Sequence, residues 1–154
     1  MSTKQIAAFQ YEQIVERASK QLRDTTRPSE GWLRTVRNAL QMSGAQLARR
    51  LGVTRSLISQ SEKAELSGRI TIKKMSEIAD AMNCRFVYAV IPNTNIRDSI
   101  AAQAHKKAKA TVHRTNVHMA LEGQALAQKQ IDFEINRLAQ RMVHSPTRDL
   151  WDEE

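Results

Sequence analysis

One stretch constrains this chain more than any other: Met42-Ser43-Gly44-Ala45-Gln46-Leu47-Ala48-Arg49-Arg50-Leu51-Gly52-Val53-Thr54-Arg55-Ser56-Leu57-Ile58-Ser59-Gln60-Ser61-Glu62. Leu47, Ala48 and Leu51 fall on one face at helical spacing. Gly52 then supplies the left-handed backbone that ends a helix. Val53 fills the corner, and Thr54 offers a hydroxyl that accepts a free backbone N–H at the start of the next helix. With Ile58 turned inward, Arg55, Ser56, Ser59, Gln60 and Lys63 are left outside. The spacing predicts two short helices joined by a tight turn, the second with a polar, donor-rich outer face.

That arrangement is a helix-turn-helix. Charge agrees with it. The 154 residues carry 24 Lys and Arg against 16 Asp and Glu, a formal charge of +8, which points to a polyanionic partner. The plainer alternative is a basic solvated surface with no partner. Aromatic residues make up 5% of the chain, too few for the stacking platforms of a single-strand binder. Cys84 is the single cysteine, which excludes an internal disulfide and a thiolate metal site. Its apolar neighbours read it as a small buried hydrophobe. No apolar run reaches the length of a membrane span and the N-terminus lacks a signal-peptide core, so a cytoplasmic location is expected, nucleoid-associated when bound to DNA.

Three segments follow from composition: an N-terminal helical extension over 1–27, a DNA-binding domain over 28–92 and a C-terminal helical region over 93–154. In the first, Ile6, Phe9 and Ile14, with Ala7, Val15 and Ala18, form an apolar stripe over residues 3–23. It could pack on its own domain, on a second subunit or on another protein. Pro28 ends that helix, and Ser29 is the expected cap of the next, with Trp32, Leu33, Val36 and Leu40 inward. Thr71 caps a further helix to about Met82, with Ile72, Met75, Ile78 and Ala79 apolar.

Cys84-Arg85-Phe86-Val87-Tyr88-Ala89-Val90-Ile91-Pro92 reads as a strand, rich in aromatic and β-branched residues and stopped by proline. A lone strand is not stable. Arg85, Phe86, Val87, Tyr88, Ala89 and Val90 are therefore expected to pair with the same segment of a second copy, giving a homodimer. The alternative is an extended segment lying along its own helices. Residues 97–142 are helical in pattern. They open on a basic, alanine-rich run from Ala101 to Ala110 that suits phosphates, an acidic protein or plain solvent. Val117, Leu121, Ile131, Ile135, Leu138 and Met142 make one stripe, and Met119, Leu126 and Phe133 a second. A face that wide is buried on another helix or another chain. The tail Trp151-Asp152-Glu153-Glu154 is acidic and expected to be loose, with Trp151 as its possible anchor.

For DNA, Arg55 and Gln60 are the expected base readers, because guanidinium and amide groups make bidentate bonds to guanine and adenine edges. Thr54, Ser56 and Ser59 reach bases or phosphates. Lys63, Lys73 and Lys74, with Arg69 less so, act as phosphate clamps. No paired carboxylates, Gly-rich phosphate loop or Ser/His/Asp set is visible, and His105, His113, His118 and His144 lack metal-ligand spacing. No catalytic residue, metal or cofactor is expected.

From Gly31 to Pro92 the chain resembles the Xre-type, lambda-repressor-like helix-turn-helix repressors, on Leu47-Ala48, Leu51-Gly52-Val53, Ile58-Ser59 and Glu62. Two positions depart from them. Gly44 stands where a glutamine usually opens the first motif helix, which puts one phosphate contact in question, and Ser61 stands where an apolar residue usually packs. The expected fold is thus a mainly α bundle of this type, with one C-terminal dimerising β-strand and helical extensions at both ends. Pro28-Ser29-Glu30-Gly31-Trp32-Leu33-Arg34, the motif, Cys84 to Ala89, the long polar helix and Leu150-Trp151-Asp152 are also similar to the mobile mystery protein A family.

That second resemblance implies a Fic-domain partner and a toxin–antitoxin module whose operon this chain would repress, while the expected strand-paired dimer would set its two recognition helices against a palindromic operator. Many Fic enzymes are silenced by a short helix of pattern Ser/Thr-x-x-x-Glu-Gly/Asn, whose glutamate occupies an arginine that otherwise holds the ATP γ-phosphate. His118-Met119-Ala120-Leu121-Glu122-Gly123 comes close to it, with Leu126 and Phe133 as apolar neighbours; an exposed helix charge is the plainer reading of Glu122. Thr26 to Gly31 fits the letters, but Pro28 sits inside the required turn. The alternative function is a toxin-neutralising interaction protein with little or no DNA-binding role.

Overall fold

The computed structural model describes residues 1–123 and 126–153. Among them the chain is all-helical: α1 (Thr3–Leu22), α2 (Trp32–Ala39), α3 (Gly44–Leu51), α4 (Arg55–Ser67), α5 (Ile72–Ala81), α6 (Ile96–Leu121) and α7 (Gln128–His144). Two compact units result, one of Gln21–Val90 and one of Met1–Lys20 with the chain from Ile91 onward.

The Gln21–Val90 unit packs α2 to α5 around Leu33, Leu47, Ala48, Ile58, Met75, Ile78 and Met82, with Val36, Leu51, Val53 and Phe86 against them. Leu47 and Ile78 are fully buried, each contributing about 1.5–3 kcal/mol of apolar burial. Helix ends are set by local chemistry. Ser43 and Gln46 cap α3 reciprocally, Ser43 Oγ accepting from the Gln46 N–H at 3.1 Å and Gln46 Oε1 from the Ser43 N–H at 2.8 Å. Gly52, at φ 69°, closes α3 in the left-handed region. Thr54 and Thr71 accept from the N–H of Leu57 and Lys74 and so start α4 and α5.

The start of α2 differs from expectation. Its N-cap is Gly31, without a side-chain cap, and Ser29 takes no such part. The Glu65 carboxylate of α4 accepts instead from the backbone N–H of Trp32 and Leu33. Trp32 and Leu40, expected inside, are exposed, as is the apolar Ile72. Trp32 opens α2, Leu40 is its C-cap and Ile72 opens α5, each at the end of a short helix whose inner face Leu33 and Val36 or Met75 and Ile78 already fill.

The expected β-strand is absent: no described residue is in a strand, and Cys84–Val90 runs without regular structure. Cys84 and Phe86 lean on the helical core, while Arg85, Val87, Tyr88, Ala89 and Val90 are exposed. The Phe86 and Tyr88 rings stack at 5.8 Å. Aromatic and β-branched content records a preference for extended backbone, but a strand also needs a ladder partner. Here the side chains that would have faced one sheet surface find a helical core.

In the other unit, α6 and α7 form a helical hairpin around Ala104, Ala108, Ile131, Ile135, Ala139 and Leu150. The pattern over 97–142 does not make one helix. Gly123, at φ 76°, ends α6 in the left-handed region, and the Asn116 side chain accepts from the Leu126 N–H at 3.2 Å. Gln124, which falls between the apolar positions of the sequence, lies outside the described residues. Small alanines on α6 let the Ile131 and Ile135 side chains of α7 seat closely. The other stripe residues split: Leu138 and Met142 join the core, while Val117, Leu121 and Phe133 are exposed.

The anchor at this end of the chain is Leu150, just before the acidic tail, and not Trp151. Leu150 is buried on α6, its carbonyl accepting from Gln103 Nε2 at 2.9 Å. Lys107 Nζ donates to the Asp149 carbonyl and meets its carboxylate at 3.2 Å. Trp151 is exposed, and Glu154 lies outside the described residues. Helix α1 buries no residue, with Ile6, Phe9, Tyr11 and Ile14 exposed. An Arg97–Glu12 ion pair at 2.7 Å links it to α6, and an exposed pair of this kind adds little stability.

Candidate nucleic-acid interface

Helix α4 has two unlike faces. Ile58, Ser61 and Glu65 are buried, three and four residues apart on the side facing α2 and α3. Arg55, Ser56, Ser59, Gln60 and Lys63 are all exposed on the other. The face therefore follows from one helical repeat anchored by Ile58 and Glu65. Within it Gln60 Nε2 lies 3.5 Å from Ser56 Oγ. Thr54 is exposed, and its hydroxyl accepts from Leu57.

The stem of Arg55 passes the N-terminus of α3: a Cβ added at Gly44 would meet Arg55 Cγ at 3.8 Å, an ordinary contact. Gly44 therefore leaves room beside the arginine, while Gln46, two residues on, serves the α3 cap. Ser61, the other departure from the Xre pattern, is buried with its Oγ donating to the Leu57 carbonyl at 2.8 Å. Its hydroxyl is satisfied within the helix, so burial carries no unpaired polar group.

Two carboxylates of α4 fasten it to α2. Glu62 takes a bidentate pair from Arg37, Nε to Oε1 at 2.6 Å and Nη2 to Oε2 at 3.1 Å, with each side chain 13% exposed. Arg37 Nη1 also donates to the Met42 carbonyl at 3.0 Å. The hydrogen bond to Glu62 holds the guanidinium above its ordinary pKa, against desolvation, with the Glu62 charge adding to it. Glu65 grips the first amides of α2, and Arg27 Nη1 reaches the Glu65 carbonyl at 3.2 Å. Arg50 Nε ties α3 to the end of α5 through the Ala81 carbonyl at 2.5 Å. Of these, Glu62 was legible as a motif residue. Arg37 and Glu65 were not, because their partners lie 25 and more than 30 residues away. The Ser43-x-x-Gln46 box was a readable signal of where α3 begins.

Lys73 is exposed and Lys74 half-buried in the first turn of α5, where Lys74 meets Glu77 at 3.6 Å. Arg69 is exposed just past Gly68, the left-handed residue that ends α4. The Gln21–Val90 unit holds twelve Lys and Arg against six Asp and Glu, a net +6 of the chain's +8. Positive charge is thus concentrated in the unit that carries α4.

The remaining expected residues stand elsewhere. His118 and Leu121 are exposed on the last turn of α6, Glu122 is its exposed C-cap rather than a residue inside a helix, and Gly123 follows. Leu126 is half-buried against the hairpin core, and Phe133 is exposed on α7. No three His, Cys, Asp or Glu among the described residues are grouped to hold a metal ion. No helix among them is long and apolar enough to cross a membrane.

Short capped helices, an α3–α4 turn at Gly52-Val53 and a polar exposed face on α4 define a helix-turn-helix module, the class that DNA-binding regulators use. Comparison with known families agrees: residues 33–88 match the helix-turn-helix family and form a domain of the Xre-like kind. No curated protein and no solved structure matches the chain.

Proposed function

We propose that this protein is a sequence-specific, DNA-binding transcriptional repressor without enzymatic activity. The observation that carries the reading is the two-faced α4, whose buried side holds it in the bundle while Arg55, Ser56, Ser59, Gln60 and Lys63 stay in solvent. In the major groove Arg55 and Gln60 would read guanine and adenine edges, with Thr54, Ser56 and Ser59 reaching bases or phosphates. Lys63, Lys73 and Lys74 would hold phosphates and fix the register. Two copies on a palindrome would set half-sites roughly one helical turn apart, with the exposed Val87, Tyr88 and Val90 side chains available for contact between them. The test is a gel shift on the DNA upstream of its own gene. Specific retention supports the reading; equal competition by a random duplex overturns it.

A second, compatible reading is that the chain also acts as an antitoxin that regulates its own operon in the cytoplasm, on the nucleoid while bound to its operator. What favours a protein partner is the exposure of large apolar side chains on α6 and α7. Leu121 is 81% exposed and Phe133 65%. Resemblance to the mobile mystery protein A family supplies the partner class, a Fic-domain toxin. Glu122, with His118, Leu121, Gly123, Leu126 and Phe133, would make the contact, the carboxylate replacing a phosphate at the toxin's arginine. Co-expression of Glu122→Gly with the toxin tests it, and retained inhibition rejects the direct mechanism. Inhibition without any gel shift would favour a toxin-neutralising protein with little DNA-binding role.

A further inference from the structure

We propose that the Gln21–Val90 unit carries a binding pocket for a compact apolar molecule with one negative charge, of the medium-chain carboxylate class. A cavity of about 370 Å³ opens between the end of α1 with the turn after it, the inner side of α2, α5 and the segment that follows α5. Buried Leu33, Met75 and Met82 form its floor, and Trp32, Val36 and Phe86 stand around it. Its volume lies within the range of small-molecule sites. A partner helix, 10–12 Å across with its side chains, is too large to enter it.

The charge of the occupant follows from the lining. Arg85 is the one charged residue among those that line the cavity, and none of them is acidic. A guanidinium beside an apolar wall pairs with a single carboxylate. A dianion would hold its second charge against hydrocarbon, which is unfavourable without a partner. The Trp32 side chain, exposed at the rim, gains cover from an apolar tail.

Helix α2 contributes Trp32, Leu33 and Val36 to the cavity and is fastened to α4 by Glu65 and by the Arg37–Glu62 pair. A ligand there presses on the helix that supports the outward face of α4. Any effect on DNA rests on the repressor reading, but binding itself does not.

The experiment uses the full chain without DNA, so its outcome is independent of operator binding. The chain has two tryptophans, and Trp151→Phe leaves Trp32 as the sole reporter. Octanoate, titrated below its micelle concentration, is expected to give a saturable blue shift, with octan-1-ol binding about tenfold more weakly. Arg85→Gln is expected to erase that preference, and Val36→Phe, with helicity checked by circular dichroism, to abolish the shift. The proposal is overturned by the absence of a saturable shift, by equal binding of octan-1-ol, by a preference that survives Arg85→Gln, by a shift that survives Val36→Phe, or by a shift that tracks self-association in sedimentation. That last result would mean a second copy fills the cavity.

Discussion

The Glu65 carboxylate lies across the N-terminus of α2, accepting from the Trp32 N–H at 2.6 Å and from the Leu33 N–H at 3.0 Å. A helix start leaves amides without partners inside the helix, and an anion there also meets the positive end of the helix dipole. Here the cap comes from the helix that presents the candidate DNA-reading face. Gly31 makes room for it. At φ 84°, a Cβ on residue 31 would stand 2.7 Å from Glu65 Oε2.

Removing this cap should loosen the bundle. Glu65→Ala leaves two amides of α2 without their acceptor, one of them buried, and is expected to cost about 1–3 kcal/mol. Glu65→Gln, which keeps one acceptor oxygen, should cost less. Gly31→Ala should also destabilise, because alanine is strained at that φ and would displace the carboxylate. Urea unfolding followed by circular dichroism measures all three. Unchanged midpoints would remove Glu65 from this role.

The Arg37–Glu62 pair makes an asymmetric prediction. Deleting one partner strands a mostly buried charge, so Arg37→Met or Glu62→Gln should destabilise by about 3 kcal/mol. The double substitution Arg37→Met with Glu62→Met should recover much of that loss, since paired charges exchanged for apolar groups leave nothing unpaired. A double-mutant cycle in urea reads the coupling, and additive losses would contradict it.

On operator DNA the outward residues should separate by role. Arg55→Ala is expected to cost about 1–3 kcal/mol and to relax one base position. Lys73→Gln should weaken all sequences alike and reduce the slope of log affinity against log salt by about 0.9. Binding titrations at several salt concentrations, on operator and on scrambled duplex, make the distinction. A uniform loss from Arg55→Ala would reassign it to the phosphate backbone.

Acid should release the C-terminal anchor of the hairpin. The Thr147 hydroxyl, and next the Lys107 ammonium, hold the Asp149 carboxyl below its ordinary pKa. A carboxylate depressed in the folded state stabilises it above the unfolded value and loses that contribution as pH falls through the folded value. The contact should therefore persist at neutral and mildly acid pH and fail below about pH 4. The protection of the Leu150 amide, whose N–H bonds to the Thr147 carbonyl, should fall there relative to its intrinsic exchange rate. In Asp149→Asn it should lose that pH dependence.

Short-range signals were the readable ones. The Gly52-Val53 corner and the Thr54 and Thr71 caps each depend on residues within four positions of one another, and they stand where the spacing predicts. The Cys84–Val90 strand misled because composition reports backbone preference and says nothing of a pairing partner. Residues 97–142 misled because apolar spacing continued past Gly123, whose left-handed φ ended the helix and turned the chain back on itself.

What the sequence alone determined is the helix-turn-helix and the identity of the side chains on its outer face, since helical periodicity and end caps are local. Tertiary structure decided what holds that face in place. The Glu65 cap, the Arg37–Glu62 pair and the Leu150 anchor join residues 25 to 47 positions apart, and so did the choice of Leu33 over Trp32 for the interior. Such contacts depend on how helices approach in space, and a periodic pattern carries no record of the distance between them.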